Sequence, residues 1–293
     1  MLTTLATLAT FALAQQTDTT VPVRTGARLE VSNFGGEIAV KTWSRNAVRV
    51  VADHSSRDRI LVDALDQVVR VKAEGGRRGP SQVDYVITVP AWMALSLSGV
   101  YTDIKVDGAQ NEVRAETVQG EVSVVGGSGN VSLKSVQGSV TLEKARGRID
   151  LNTVNEEIRA TDISGDIAVE TVNGDITLTQ IESANTEANT VNGDVSYDGT
   201  IKDGGRYRFT THDGDLRVSV PEKASVTVTV STFDGDFSAC FPVQLSRKSK
   251  HRFDLTIGAG SARVELESFN GDIHLCRPGQ VMKPEGDHHN QEH

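Results

Sequence analysis

The feature that most constrains this sequence is a short repeat between Thr117 and Val195. Glycine or a substitute returns every nine residues, and alternate copies resemble each other most, so the full period is eighteen residues. The better-kept half reads Thr-Val-Asn-Gly-Asp-Ile. Its copies lie at 117–122, 135–140, 153–158, 171–176 and 190–195, with looser ones at 211–216, 232–237 and 268–273. A fixed short period is typical of proteins built by stacking one structural unit.

Apolar and polar residues alternate between the glycines, as in Val140 to Glu143 and Ile176 to Thr179. This alternation predicts strands of four or five residues that are buried on one face. Antiparallel hairpins and a parallel solenoid both fit such strands, and the regular register favours the solenoid. We therefore predict an all-β fold, a β-helix-like β-solenoid with two short strands per coil of eighteen residues.

Stacking of equivalent residues at about 4.8 Å predicts columns of like side chains. A hydroxyl ladder would begin at Thr117, and the corner glycines would supply positive φ. Because one valine column is predicted to be core, Val172→Asp should bury an unpaired charge and severely destabilise the fold. The predicted apolar columns are Val118, Val136, Val154, Val172 and Val191, and Val122, Val140, Ile158, Ile176 and Val195; the corner glycines are Gly120, Gly138, Gly174, Gly193, Gly214, Gly235 and Gly271.

The chain divides by how well it keeps this period. An apolar run ending Ala12-Leu13-Ala14 resembles a secretory signal, although no Lys or Arg precedes it, and it predicts export to the periplasm or cell surface. The predicted segments are a signal peptide (1–14), a flexible lead-in (15–26), one solenoid domain (27–276) and a disordered tail (277–293). Within the domain we expect an irregular N-terminal β cap (27–100), regular coils (101–235) and C-terminal coils with a basic loop (236–276).

Charge and hydropathy exclude some partners. The net charge of −9 argues against nucleic acid, which demands a basic face. The N-terminal apolar run is too short for a transmembrane helix, and no other stretch qualifies as one. We expect a monomer.

The two cysteines occupy equivalent repeat positions. Cys240 lies five residues after Gly235, and Cys276 lies five after Gly271. Stacked equivalents would fall within the Cα separation of a disulfide, which an oxidising compartment permits. Two buried free thiols are the alternative, and the disulfide is the favoured prediction.

The residue after each corner glycine is usually acidic. Stacked carboxylates suggest Ca²⁺, with Asp175, Asp194, Asp215 and Asp236 as weak candidate ligands. The favoured alternative is a corner residue that merely suits an exposed turn, so we expect no metal and no other cofactor. The Asn or Gln before each glycine is interpreted as a turn residue in an amide ladder. His212 replaces a column residue that is elsewhere Val or Phe, and is interpreted as a tolerated core residue.

The Asn-Gly-Asp-Ile unit, its last copy at 268–273 and the N-terminal Trp43 together resemble the bacterial domain of unknown function 4097. The resemblance covers roughly residues 27–276. It implies an exported β-strand-repeat protein of the kind often labelled putative adhesins. It brings no catalytic signature.

From these observations we expect a non-enzymatic, exported, adhesin-like binding or structural module of the bacterial envelope. Its partner would be an envelope polysaccharide or a protein, and no catalytic residue is identified. One alternative is an envelope-stress or signalling partner that binds a membrane protein. A second is a polysaccharide-active solenoid enzyme, which would need a groove with clustered carboxylates and basic residues.

Overall fold

A computed structural model describes residues 14–75 and 82–280 of the chain. The predicted signal peptide up to residue 13 and the predicted tail from residue 281 lie outside the described residues. The described residues form strands and turns without a helix, so none offers a helix that could span a membrane. The all-β, solenoid-like prediction is confirmed at this level.

The strands, in chain order, are β1 (Ala14–Pro22), β2 (Arg28–Trp43), β3 (Ala47–Ser55), β4 (Arg59–Leu65), β5 (Val68–Glu74), β6 (Asp84–Pro90), β7 (Ala94–Ala109), β8 (Val113–Glu116), β9 (Val122–Gly126), β10 (Ser128–Lys134), β11 (Val140–Glu143), β12 (Arg146–Asn152), β13 (Ile158–Thr161), β14 (Ser164–Glu170), β15 (Ile176–Asn189), β16 (Val195–Gly199), β17 (Arg206–Asp213), β18 (Leu216–Ser219), β19 (Val226–Asp234), β20 (Phe237–Ala239), β21 (Leu245–Lys248), β22 (Arg252–Ile257), β23 (Ala262–Asn270) and β24 (Ile273–Cys276).

The central coils stack in parallel at a spacing of eighteen residues. In one series β8, β10, β12 and β14 are successive neighbours, and Val131 pairs with Val113 and Ile149. In the other series β9, β11, β13 and the first half of β15 are neighbours, and Val140 pairs with Val122 and Ile158. Each strand therefore has an equivalent strand directly above and below it.

Along each strand, every second side chain points into the solenoid. Val122, Val140, Ile158, Ile176 and Val195 are at most 1% exposed, so this predicted column is core. Strands of the other series contribute Val131, Leu133, Ile149 and Leu151, which are equally buried. Because successive coils repeat the same residues, the core is a set of aliphatic columns parallel to the solenoid axis.

The N-terminal end does not stack in chain order. Strand β2 lies between β7 on one side and β5 and β6 on the other, all parallel to it. Its pairing with β7 runs from Arg28 to Lys41, so the range predicted as an irregular cap contains a coil in full register. Antiparallel pairs, β3 on β6 and β4 on β5, complete this end.

The predicted flexible lead-in (15–26) is instead a strand over residues 15–22. These residues belong to β1, which pairs antiparallel with β3 from Ala14 to Pro22. An ion pair between Asp18 and Arg49 crosses the two strands. The Thr-rich segment has the composition of a strand, and the exposed edge of β3 supplies its partner.

The C-terminal end repeats this arrangement. Strands β23 and β24 lie between the coil of β17 and β18 and the coil of β19 and β20, which precedes them in sequence. Strand β22 then pairs antiparallel with β19, and β21 pairs antiparallel with β22.

Candidate binding surface

A continuous ridge of apolar and aromatic side chains runs along the corner that carries the Thr-Val-Asn-Gly-Asp repeat. We call it the corner stripe. Its members are the residues that follow the ladder hydroxyl or, in the first two coils, follow Asn33 and Gly99 at the same position. The strand and bridge registers place them one above the other: Phe34, Val100, Val118, Val136, Val154, Val172, Val191, His212, Phe269 and Phe233.

The prediction that the valines of this stripe form a core column is wrong. Val118 is 50% exposed, Val136 40%, Val172 38% and Val191 43%, and Val154 is half-buried. They do stack, but on the outside. The alternation of buried and exposed side chains is interrupted at the corner, because the chain turns at the glycine. The valine before the glycine therefore faces solvent, although the aliphatic residue four positions later faces the core.

The side chains that point inward before the glycine are the hydroxyls. Thr117, Ser135, Thr153, Thr171 and their equivalents are buried, and each Oγ donates to a backbone carbonyl one coil back. These bonds are 2.9–3.2 Å long, and the later members Thr190, Thr211 and Ser268 repeat them. The predicted hydroxyl ladder is thus confirmed and satisfies the buried polar groups.

The corner glycines are required mainly by the close approach of two backbones. A Cβ added to Gly138 would lie 1.9 Å from the carbonyl oxygen of Gly120, and one on Gly174 would lie 2.1 Å from that of Glu156. The same contact recurs at Gly193, Gly214, Gly235 and Gly271. Positive φ accompanies it at Gly120 and Gly193.

The acidic column beside the stripe binds backbone. Asp175 Oδ1 accepts from the N–H of Asp194 at 2.8 Å, and Asp194 and Asp215 continue the pattern one coil further each. Asp236 N donates to Asp272 Oδ1 at 2.9 Å. Arg217 also binds the second oxygens of Asp194 and Asp215. Within residues 14–75 and 82–280, no group of three or more His, Cys, Asp or Glu side chains is placed to hold a metal ion.

The amide column between stripe and acids forms the predicted ladder. Asn173 Nδ2 donates to Asn155 Oδ1 at 3.1 Å, and Asn192 Nδ2 donates to Asn173 Oδ1 at 2.8 Å. Asn270 donates in the same way to Asp213. These asparagines are exposed, and each amide carries a second N–H.

The C-terminal end of the stripe is an aromatic stack. His212 stacks on Phe269 with ring centroids 4.8 Å apart, Phe269 stacks on Phe233 at 4.8 Å, and Phe233 stacks on His251 at 4.9 Å. The rings line a shallow groove of about 360 Å³. His212 is exposed, so its interpretation as a core residue is wrong: it continues the outer column. A repeated apolar residue at a corner position was the sequence signal for this surface, and it was interpreted as core.

The other end of the stripe is also aromatic. Phe34 is 49% exposed and meets Tyr101, 55% exposed, edge to face at 5.6 Å. Sequence reasoning singled out neither residue. Phe34 lies in the range assigned to an irregular cap, and Tyr101 begins the regular coils at a position that later copies fill with Gln or Asn.

A second concave surface lies on a flat face of the solenoid. It has a volume of about 690 Å³ and is lined by Arg148, Arg206 and Arg263 together with Asp166 and Glu187. Such a mixture of carboxylates and arginines is what the enzyme alternative requires.

The resolved pKa shifts in the described residues have structural causes. Hydrogen bonds from arginines lower the pKa of Glu157 (from Arg159) and of Asp18 (from Arg49). Burial raises the pKa of the Tyr85 and Tyr197 hydroxyls, and Tyr197 donates to the carbonyl of Thr200. Burial also raises the pKa of the Tyr207 hydroxyl, which donates to the carbonyl of Ser183 and belongs to a residue that lines the groove on the flat face.

The predicted disulfide is confirmed. Cys240 and Cys276 are bonded, with Cα atoms 4.8 Å apart. The bond follows from the parallel pairing of β20 with β24, which places Ala239 opposite Leu275 and the cysteines next in line.

Residues 168–276 match the model of a protein family described as Toastrack DUF4097. The predicted family is confirmed for this segment. The matched segment begins within β14 and ends at Cys276, so it contains the disulfide and the whole aromatic stack at the C-terminal end of the stripe. None of the curated proteins matches the sequence.

Several solved structures match most of this chain at low identity. A putative adhesin from Bacteroides fragilis is 11% identical with a TM-score of 0.44, covering 89% of this chain and 97% of that one. A putative lipid binding protein from Parabacteroides distasonis is 8% identical with a TM-score of 0.39, covering 88% and 96%. A putative adhesin from the same organism is 12% identical with a TM-score of 0.35, covering 90% and 98%. At these TM-scores the similarities carry no argument about function.

Proposed function

We propose that the chain is a non-enzymatic, exported, adhesin-like binding module of the bacterial envelope. It acts as a monomer, and its solenoid has two short strands in each coil. The ligand is an elongated envelope polysaccharide held along the corner stripe. The observation that carries the proposal is a continuous column of apolar and aromatic side chains from Phe34 to Phe233, most of which are exposed.

The residues of the neighbouring columns make contacts that the fold requires, whereas those of the corner stripe do not. The ladder hydroxyls, the glycines, the amides and most of the acids each bind or fit against the next coil. A polar side chain at the stripe position would leave those contacts intact. Exposed apolar surface that the fold does not require is a common mark of a binding site.

The chemistry of the corner fits a sugar chain better than a compact ligand. The stacked rings of Phe233 and Phe269 cover each other's faces, so with the valine methyl groups they present a narrow apolar ridge. Carbohydrate C–H groups can lie on this ridge. The adjacent amide column, which includes Asn173 and Asn192, offers hydrogen bonds to hydroxyl groups at every coil.

The test is co-sedimentation of the purified chain with insoluble envelope polysaccharide. The double variant Val136→Ser/Val172→Ser should lose sedimentation, whereas Val86→Ser should keep it. Val86 is a matched control because it is 44% exposed and lies on β6, away from the stripe. Equal binding by both variants would contradict the proposal.

Three further arms of this experiment address the alternatives. Loss of sedimentation in chelator, with recovery in calcium, would assign an ion to the acidic column that includes Asp175 and Asp194. The arginine and carboxylate groove on the flat face favours the enzyme alternative, and release of soluble sugar during incubation would support it. Capture of a membrane protein without polysaccharide binding would favour the signalling alternative.

A further inference from the structure

The C-terminal end of the solenoid carries a cationic hairpin on an otherwise acidic chain. The basic hairpin consists of β21, the turn after it and Arg252. No Asp or Glu occurs from Phe237 to Phe253, although the whole chain has 39 of them and a net charge of −9. Charge of the opposite sign is thus concentrated at one end of the molecule.

The cations of this hairpin point into solvent. Arg247, Lys248 and Lys250 are exposed, and no ion pair within the described part of the chain involves them. Arg252 is paired with Asp254 at 3.2 Å. The hairpin is therefore free to meet an external anionic surface with at least three uncompensated charges.

Exposed aromatic rings lie directly beside these charges. His251, in the turn of the hairpin, stacks on Phe233, which is 60% exposed, and Phe233 stacks on Phe269, which is 43% exposed. Five of the eight phenylalanines of the chain lie between residues 233 and 269. Apolar rings bordered by Lys and Arg are the combination that binds the interface of anionic membranes.

We propose that the basic hairpin and the adjoining Phe233 dock the C-terminal end of the solenoid on an anionic phospholipid surface. The charges supply long-range attraction to the headgroups, and the ring enters the boundary between headgroups and acyl chains. The long axis of the solenoid then projects away from the membrane. The part of the corner stripe from Phe34 to Val191 runs along that axis, away from the docked end, and stays accessible to a separate ligand.

A lipid surface is favoured over a soluble anion by the form of the site. The cations lie on the exposed edge hairpin of the sheet and do not converge on an enclosed pocket, and the neighbouring ring is apolar. An individual phosphate would gain nothing from Phe233. A planar surface with both headgroups and acyl chains engages both parts at once.

The experiment is flotation of the full chain with vesicles of phosphatidylglycerol and phosphatidylcholine, against vesicles of phosphatidylcholine alone. Binding should require the anionic lipid and weaken as salt rises. The double variant Lys248→Ser/Lys250→Ser should bind about 30-fold more weakly, since each Lys or Arg near such a surface contributes about 1 kcal/mol. The control Lys41→Ser/Lys223→Ser removes the same charge from other exposed sites and should bind as the parent does.

The ring is tested separately. Phe233→Ser should lower the affinity about fivefold, because less apolar area leaves water, while the dependence on salt stays that of the parent. Phe34→Ser, at the opposite end of the stripe, should leave vesicle binding unchanged. Melting curves establish that each variant is folded.

Several results would overturn the proposal. These are equal binding to neutral vesicles, equal effects of the two lysine pairs, absence of any vesicle binding, or complete competition by soluble glycerol phosphate. The outcome is independent of the polysaccharide proposal, because Val136→Ser/Val172→Ser should bind vesicles normally. Either proposal can therefore fail while the other stands.

Discussion

Two substitutions in one coil test which side of the corner faces the core. Val172 and Ile176 lie four residues apart, both belong to stacked columns, and both are aliphatic. Val172 is 38% exposed and Ile176 is fully buried. Aspartate at each position introduces the same group into two environments that differ mainly in access to water.

The expected magnitudes are well separated. Ile176→Asp removes a buried side chain, which costs about 2–5 kcal/mol, and adds a carboxyl without a partner, which costs several kcal/mol more. The sum approaches the whole stability of a typical domain, about 5–15 kcal/mol. Val172→Asp keeps its carboxylate in water and loses only part of the valine contact, so about 1–2 kcal/mol is expected.

The assay is thermal and urea denaturation followed by circular dichroism. Val172→Asp should lower the midpoint by a few degrees, on the scale of about 2–4 °C per kcal/mol for a chain of this size. Ile176→Asp should fail to fold or lose the cooperative transition. Comparable destabilisation by the two variants would refute the inside-outside assignment on which the corner stripe depends.

Three other perturbations follow from the structure. Gly174→Ala places a Cβ 2.1 Å from a carbonyl oxygen of the preceding coil and should lower the free energy of unfolding in urea by about 2–3 kcal/mol. The control Gly204→Ala has φ of +73° and open space around the added Cβ, and it should lower the same quantity by about 1 kcal/mol. Equal losses in the two variants would contradict the close approach of the two backbones at Gly174. Replacing Cys240 and Cys276 together by Ser removes a link across 36 residues and so raises the entropy of the unfolded chain; the free energy of unfolding in urea denaturation should fall by about 3–4 kcal/mol. An unchanged free energy of unfolding would contradict this. The pKa of Glu157 is lowered in the folded state, so the carboxylate stabilises the fold above the unfolded pKa of about 4.3, and this stabilisation is lost as pH falls through the lowered value. Glu157→Gln should therefore be less stable than the parent at neutral pH, by at most about 0.5 kcal/mol for an exposed ion pair. In acid the free energies of unfolding of the two proteins should be equal.

Stacking and register were predictable because they depend only on spacing. Equivalent residues eighteen apart must meet if the coils are parallel, and the ladder of Thr117 and its equivalents follows from that alone. The disulfide was predictable for the same reason: Cys240 and Cys276 hold one repeat position. Neither inference needs to know which side of a strand is buried.

The side of burial was not predictable from alternation alone. Val118 and Val122 lie four positions apart in the sequence, so strict alternation places their side chains on the same side of a strand. The glycine between them turns the chain, and Thr117 and Val122 become the inward pair. A small hydroxyl at every copy was the available signal, because a buried Oγ–H needs a fixed acceptor and the stacked carbonyl provides one.

The order in which the coils stack at the two ends could not be predicted from the sequence. Repeat copies with the same residue pattern can pair in the same register with any other copy, so the pattern does not say which two are neighbours. Strand β2 precedes β5 and β6 but separates them from β7, and β23 follows β19 but separates it from β17. In both cases the outermost coil then pairs with antiparallel strands. An open parallel edge would invite another chain, and short or charged antiparallel strands blunt it. At the C-terminal end the blunting strand is β21, whose exposed cations protect the edge and, in the membrane proposal, give that edge its partner.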